Sequence, residues 1–92
     1  MENKRTRVII SGIVQGVFFR DHTRRRAQEL GLTGWVKNNF NGTVEAVFEG
    51  PSHSVDAMTN WCYDGPASAV INDVKRIDDA YTGEFSDFSI IA

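Results

Sequence analysis

The run Val14-Gln15-Gly16-Val17-Phe18-Phe19-Arg20 joins a β-branched stretch, Val8 to Val14, to a polar helical pattern that opens near Asp21. A strand, a turn containing glycine and a helix N-terminus in succession suit the binding of an anion. Backbone N–H groups converge at such a junction without partners of their own, and the helix dipole adds positive potential. Arg20 brings a permanent charge on a planar fork that matches phosphate oxygens. A lone arginine is more often a solvated surface residue, but the turn and helix start around this one favour a phosphate site. The loop is too short to be of Walker type. A second residue stands out for its position. Trp35-Val36-Lys37-Asn38 alternates so that Asn38 shares a face with Val36, while Trp35 and Lys37 take the other. An asparagine before a hairpin is commonly a turn former, yet an amide on the mostly apolar side of a strand needs a specific partner.

These residues have to be held by a frame, and the periodicity supplies one. Arg7 to Val14 reads as a strand, with Val8, Ile10, Gly12 and Val14 on one face. Asp21 to Leu30 reads as a helix with Thr23, Ala27 and Leu30 inward, Asp21 able to pair with Arg25, and Gly31 as a left-handed stop. Thr33 to Phe40 and Thr43 to Glu49 alternate on either side of Asn41-Gly42, a hairpin signal because both residues tolerate positive φ. A second helix, Ser54 to Tyr63, turns Val55, Met58, Thr59 and Cys62 inward and ends at Gly65-Pro66. Strand-like residues follow from Val70 to Ile77, with irregular alternation around Val70 to Asp78, and from Phe85 to Ile91. The order is βαββαβ. It predicts an α+β two-layer sandwich of ferredoxin-like type, an antiparallel sheet with two helices on one face.

Composition narrows the function classes. At 92 residues with 41% hydrophobic content, the chain suits one domain, residues 1–92, with a real core. A single cysteine excludes an internal disulfide framework and a cysteine-based zinc site. A net charge of −2 argues against a general nucleic-acid binder, so any anion site is local. Met1-Glu2-Asn3-Lys4-Arg5 is charged and leads into no span-length apolar segment, so the expectation is a cytoplasmic protein without a membrane partner.

At the loop and at Asn38 the chain resembles the acylphosphatase family. Ile10-Ser11-Gly12-Ile13-Val14-Gln15-Gly16-Val17-Phe18-Phe19-Arg20 fits the family's first signature, and Gly34-Trp35-Val36-Lys37-Asn38 with Gly42, Val44 and Gly50 fits the second. The likeness extends over Gly65-Pro66, Ile71, Val74 and Phe88-Ser89-Ile90, although Ile91-Ala92 lacks the basic or aromatic tail of many members. The resemblance implies the ferredoxin-like fold and hydrolysis of the carboxyl–phosphate bond of small acyl phosphates, releasing a carboxylate and inorganic phosphate. It implies that Arg20 and the N–H groups of Gln15, Gly16, Val17, Phe18, Phe19 and Arg20 hold the phosphoryl group. It implies that Asn38 orients the attacking water. A carboxylate departs readily, so positioning and charge stabilisation suffice, and the phosphate itself can take the water's proton. No metal and no cofactor are expected, and a monomer is the plain expectation.

The other chemical residues have simpler readings. Cys62 belongs to an apolar helix face, His22 and His53 to exposed helix starts, and Arg24-Arg25-Arg26 to a solvated face. Trp35, Phe40 and Trp61 read as packing residues. Two other functions fit the same element order: an RNA-recognition module and a catalytically silent anion-binding domain. The first needs exposed aromatics on central strands, whereas Thr43, Glu45, Val47 and Glu49 share one side of the third strand. Arg20 and Asn38 together count against the second.

Overall fold

The structure is a computed structural model that describes residues 2–92. Strand β1 (Asn3–Ile13) begins ahead of Arg7 and buries Thr6, Val8 and Ile10, the alternate residues of one face. Helix α1 (Phe19–Glu29) follows, two residues earlier than the polar pattern predicts, and buries Phe19, Thr23 and Ala27. Its end is fixed by Gly31, whose φ of 70° lets the chain turn back. There the Leu32 N–H donates to the Ala27 carbonyl at 2.9 Å and the Gly31 N–H to Gln28 at 3.1 Å, so two open carbonyls are satisfied.

Strands β2 (Thr33–Asn38) and β3 (Val44–Pro51) form the expected antiparallel hairpin, with Asn38 paired to Val44. The turn differs from the two-residue form read from Asn41-Gly42. The Gly42 N–H donates to the Asn39 carbonyl at 3.2 Å and the Asn39 N–H to Thr43 at 2.9 Å. Only Gly42 takes positive φ there, at 90°. Asn41 instead uses its side-chain oxygen to accept from the Thr43 N–H (3.2 Å) and hydroxyl (2.7 Å), a longer loop closed by an Asx-type bond.

Helix α2 (Ser52–Asp64) buries Val55, Met58, Thr59 and Cys62, as its periodicity predicts, and Ser54 as well. Strand β4 (Val70–Asp79) pairs antiparallel with β1, and the register slips where Ser11 faces Asp73 but Gly12 faces Ile71. The extra residue, Asn72, explains the irregular alternation. The last strand, β5 (Phe88–Ile90), departs from the predicted antiparallel sheet because it lies parallel to β2. The sheet order is β4-β1-β3-β2-β5, a mixed sheet whose four longer strands are antiparallel. The ferredoxin-like α+β arrangement holds, with a short parallel strand added at one edge. The core lies between layers: Val8, Ile10, Val36, Val44, Ala46 and Phe48 from the sheet meet Phe19, Ala27, Val55, Met58 and Cys62 from the helices.

The opposite sheet face is not the bare acidic surface that alternation suggests. Val47 and Glu49 are fully buried. The Glu49 carboxylate accepts from the Thr82 N–H (3.0 Å) and hydroxyl (2.9 Å), the Gly83 N–H (3.0 Å) and Arg5 (3.1 Å). Burial alone raises a carboxyl pKa, but these donors outweigh it and hold Glu49 below its ordinary range. Asp56 is lowered chiefly by Lys4, with Arg76 adding to it, and Asp78 chiefly by the Thr6 hydroxyl, again with Arg76. A carboxyl depressed in the folded state stabilises the fold above its unfolded pKa, and that stabilisation is lost as pH falls through the folded value. Thermal melts are therefore expected to show falling Tm as pH drops below about 4. Glu49→Gln should cost about 2–4 kcal/mol at neutral pH, because Arg5 and two N–H groups lose a charged acceptor. The variant should also lose less Tm than the parent over the acid window; an equal loss would remove Glu49 from the account.

Candidate functional site

A cavity of about 280 Å³ opens where the β1–α1 loop meets the end of β2. Its lining is Val14, Gly16, Phe18, Phe19, Arg20, Asp21, Asn38 and Ile90. The two residues singled out from the sequence, 18 positions apart, thus share one cavity. Gly16, Phe18 and Phe19 also line it, whereas Gln15 and Val17 do not.

The loop gets its shape from two left-handed residues. Gly16 has φ 76° with open space where a side chain would begin, and Phe18, the helix N-cap, has φ 61° and no side-chain capping bond. With the helix starting at Phe19, Arg20 sits in the first turn rather than ahead of it. Among the described residues, no acceptor receives a backbone N–H from any residue between Gln15 and Arg20. A run of open donors at a helix N-terminus is a concentrated positive dipole.

The loop is tied down on both sides. The Gln15 side-chain amide donates to the Asn39 carbonyl (2.7 Å) and the Thr43 carbonyl (2.9 Å), and Ser68 donates to the Val17 carbonyl at 2.9 Å. Gln15 therefore links the loop to the base of the hairpin that carries Asn38. The sequence suggested Gln15 through its backbone alone. No periodicity announces the side-chain tether, because its acceptors lie 24 and 28 residues away.

Charge in the cavity is arranged unevenly. Asp21 would oppose an anion, but Arg24 (2.9 Å) and Arg25 both pair with it, the second as the i,i+4 spacing predicts. Arg20 takes part in none of the ion pairs among the described residues. Its fork is not committed to a neighbouring carboxylate. Asn38 is the other incomplete group: its Oδ1 is buried and has no hydrogen-bond partner among the described residues. Leaving such an acceptor unsatisfied costs about 1–3 kcal/mol, which a bound water or ligand donor offsets. Among the described residues, none supplies the partner that a polar amide on this face requires.

The remaining chemical residues stand apart. His22 and His53 are exposed and neither lines the cavity. Cys62 is fully buried, and burial pushes its thiol up to about 12. Trp61 packs on Phe19 at 5.5 Å between ring centroids, and Trp35 is half-buried beside Lys37. Phe40 corrects its expected packing role, since it lies wholly exposed on the hairpin loop. Among the described residues, no group of three or more His, Cys, Asp and Glu side chains is placed to hold a metal ion. None of the described helices is long and apolar enough to cross a membrane.

A family profile described as Acylphosphatase matches residues 6–90. An acylphosphatase of Syntrophus aciditrophicus (strain SB) is 50% identical over 88 residues, covering 96% of this chain and 92% of that protein. Among solved structures, an acylphosphatase from Coxiella burnetii superposes with a TM-score of 0.91 at 40% identity, over 97% of this chain and 93% of that one. The acylphosphatase from Bacillus subtilis gives 0.92 at 30% identity, over 97% and 99%.

Proposed function

Because the chain belongs to the acylphosphatase family of hydrolases, we propose that this cavity is where it cleaves the carboxyl–phosphate bond of small acyl phosphates. Residues 1–92 act in this reading as one domain and as a monomer, yielding a carboxylate and inorganic phosphate. The observation that carries the reading is the pairing in one cavity of two groups without partners among the described residues: Arg20 in no ion pair and Asn38 with a buried, unbonded Oδ1.

The chemistry divides between them. The phosphoryl group lies on the open N–H groups of Gln15, Gly16, Val17, Phe18, Phe19 and Arg20, with the Arg20 fork across two of its oxygens. Preorganised donors of this kind favour the transition state, in which charge spreads over the equatorial oxygens. Asn38 Oδ1 accepts a hydrogen bond from a water and holds it against phosphorus, so the attack gains from orientation rather than from a strong base. The water's proton passes to a phosphoryl oxygen, and the carboxylate leaves without needing an acid because it is stable as an anion. The Gln15 tether keeps cradle and hairpin in register.

The test is phosphate release from benzoyl phosphate in the presence of a chelator, with inorganic phosphate as a competitive inhibitor. Turnover that depended on an added divalent ion, or noncompetitive inhibition, would contradict this division of labour. Asp21 offers a finer check. Asp21→Asn removes a carboxylate from the cavity wall and frees Arg24 and Arg25, so the inhibition constant for phosphate should fall about two- to fivefold at low salt and less at high salt. Weaker phosphate binding in this variant would place the anion elsewhere.

A further inference from the structure

We propose that Phe18 is the specificity-determining residue of this site, its ring receiving the acyl group so that planar, apolar acyl phosphates are preferred over acetyl phosphate. The inference rests on the reading of the cavity as the acyl phosphate site and adds to it the half of the substrate that the cradle does not touch. In an in-line displacement the attacking water and the leaving oxygen lie on opposite sides of phosphorus. With water held at Asn38 and phosphoryl oxygens on the loop, the acyl group has to emerge past the loop residues toward solvent.

The lining grades accordingly. Val14 and Phe19 are each 1% exposed and form the floor, whereas Phe18 is 77% exposed and forms the lip. Phe18 is also the one described residue other than glycine with positive φ. A bulky side chain is a costly occupant of that backbone conformation, which glycine takes freely. A phenyl ring held outward at a cavity mouth on a strained backbone is a poor packing residue. It is a good surface for a flat apolar partner, since aromatic rings pair favourably beyond the area they bury. Ile90 adds a second apolar wall, so half of the eight lining residues are apolar in a cavity whose phosphate end needs only polar groups.

The experiment compares kcat/KM for benzoyl phosphate and acetyl phosphate in the parent, in Phe18→Ala and in Phe18→Gly. Phe18→Gly matters because it removes the ring and relieves the backbone together, separating the two effects. The ratio of benzoyl to acetyl phosphate is expected to fall about tenfold in both variants, chiefly through KM for benzoyl phosphate. The inhibition constant for inorganic phosphate, which has no acyl group, reports the cradle separately and should move less than that KM. Equal losses for both substrates, tracked by phosphate inhibition, would overturn the inference and make Phe18 a loop-shaping residue. An unchanged ratio would overturn it as well. A parent that hydrolyses neither substrate would instead overturn the reading of the whole site, and the inference with it.

Discussion

Arg20→Lys is expected to lower kcat/KM for benzoyl phosphate by at least about 1,000-fold, the upper range for loss of a preorganised charge-stabilising donor. Lysine retains the positive charge but not the geometry. A guanidinium presents two parallel N–H bonds in a fixed plane, and an ammonium presents a compact, strongly hydrated point charge on a flexible stem. The substitution tests the fork itself, because Arg20 makes none of the ion pairs that hold the fold together. Thermal stability should accordingly stay within about 0.5 kcal/mol of the parent, as for a surface change away from structural features. Steady-state kinetics beside a melting curve checks both statements. Activity within tenfold of the parent would mean that Arg20 contributes only attraction at a distance.

Asn38→Ala is expected to reduce kcat by roughly 100- to 1,000-fold while the inhibition constant for inorganic phosphate changes little. The split follows from the roles proposed: the cradle binds, and the amide places water. Stability makes a second prediction with the opposite sign. Removing a buried Oδ1 that has no partner among the described residues should leave the fold as stable as before or slightly more so, since an unsatisfied acceptor carries a cost of about 1–3 kcal/mol. A residue whose loss harms the reaction without harming the fold is held for the reaction. Parallel losses in kcat and phosphate affinity would instead assign Asn38 to the cradle.

Much of the frame was legible in the chain because it follows from local periodicity. The inward faces of α1 and α2, the Gly31 stop and the β2–β3 pairing depend on residues within a turn or a hairpin of each other. Arg20 and Asn38 stood out as well, through a glycine turn at a helix start and an amide on an apolar face, and both line one cavity. What escaped depends on distant or purely geometric partners. Glu49 falls on the outer side of β3 by alternation, yet Thr82 and Gly83, 33 and 34 residues on, cover it and satisfy its charge. The direction of β5 could not be read from a strand of three residues whose neighbour in the sheet, β2, lies far back in the sequence. The early start of α1 depends on Phe18 taking a left-handed conformation that its residue type disfavours. That exception falls at the cavity, where residue preference and the conformation adopted pull apart.

In the proposed reaction water is delivered to phosphorus, with Asn38 on one side of the phosphoryl group and the loop donors with Arg20 holding it. A single turnover of benzoyl phosphate in water enriched in heavy oxygen tests this most directly, with the masses of both products measured. Attack at phosphorus leaves one heavy oxygen in the inorganic phosphate and none in the benzoate. Heavy oxygen in the benzoate would show that water reaches the carbonyl carbon, and the cavity would then not be the site described.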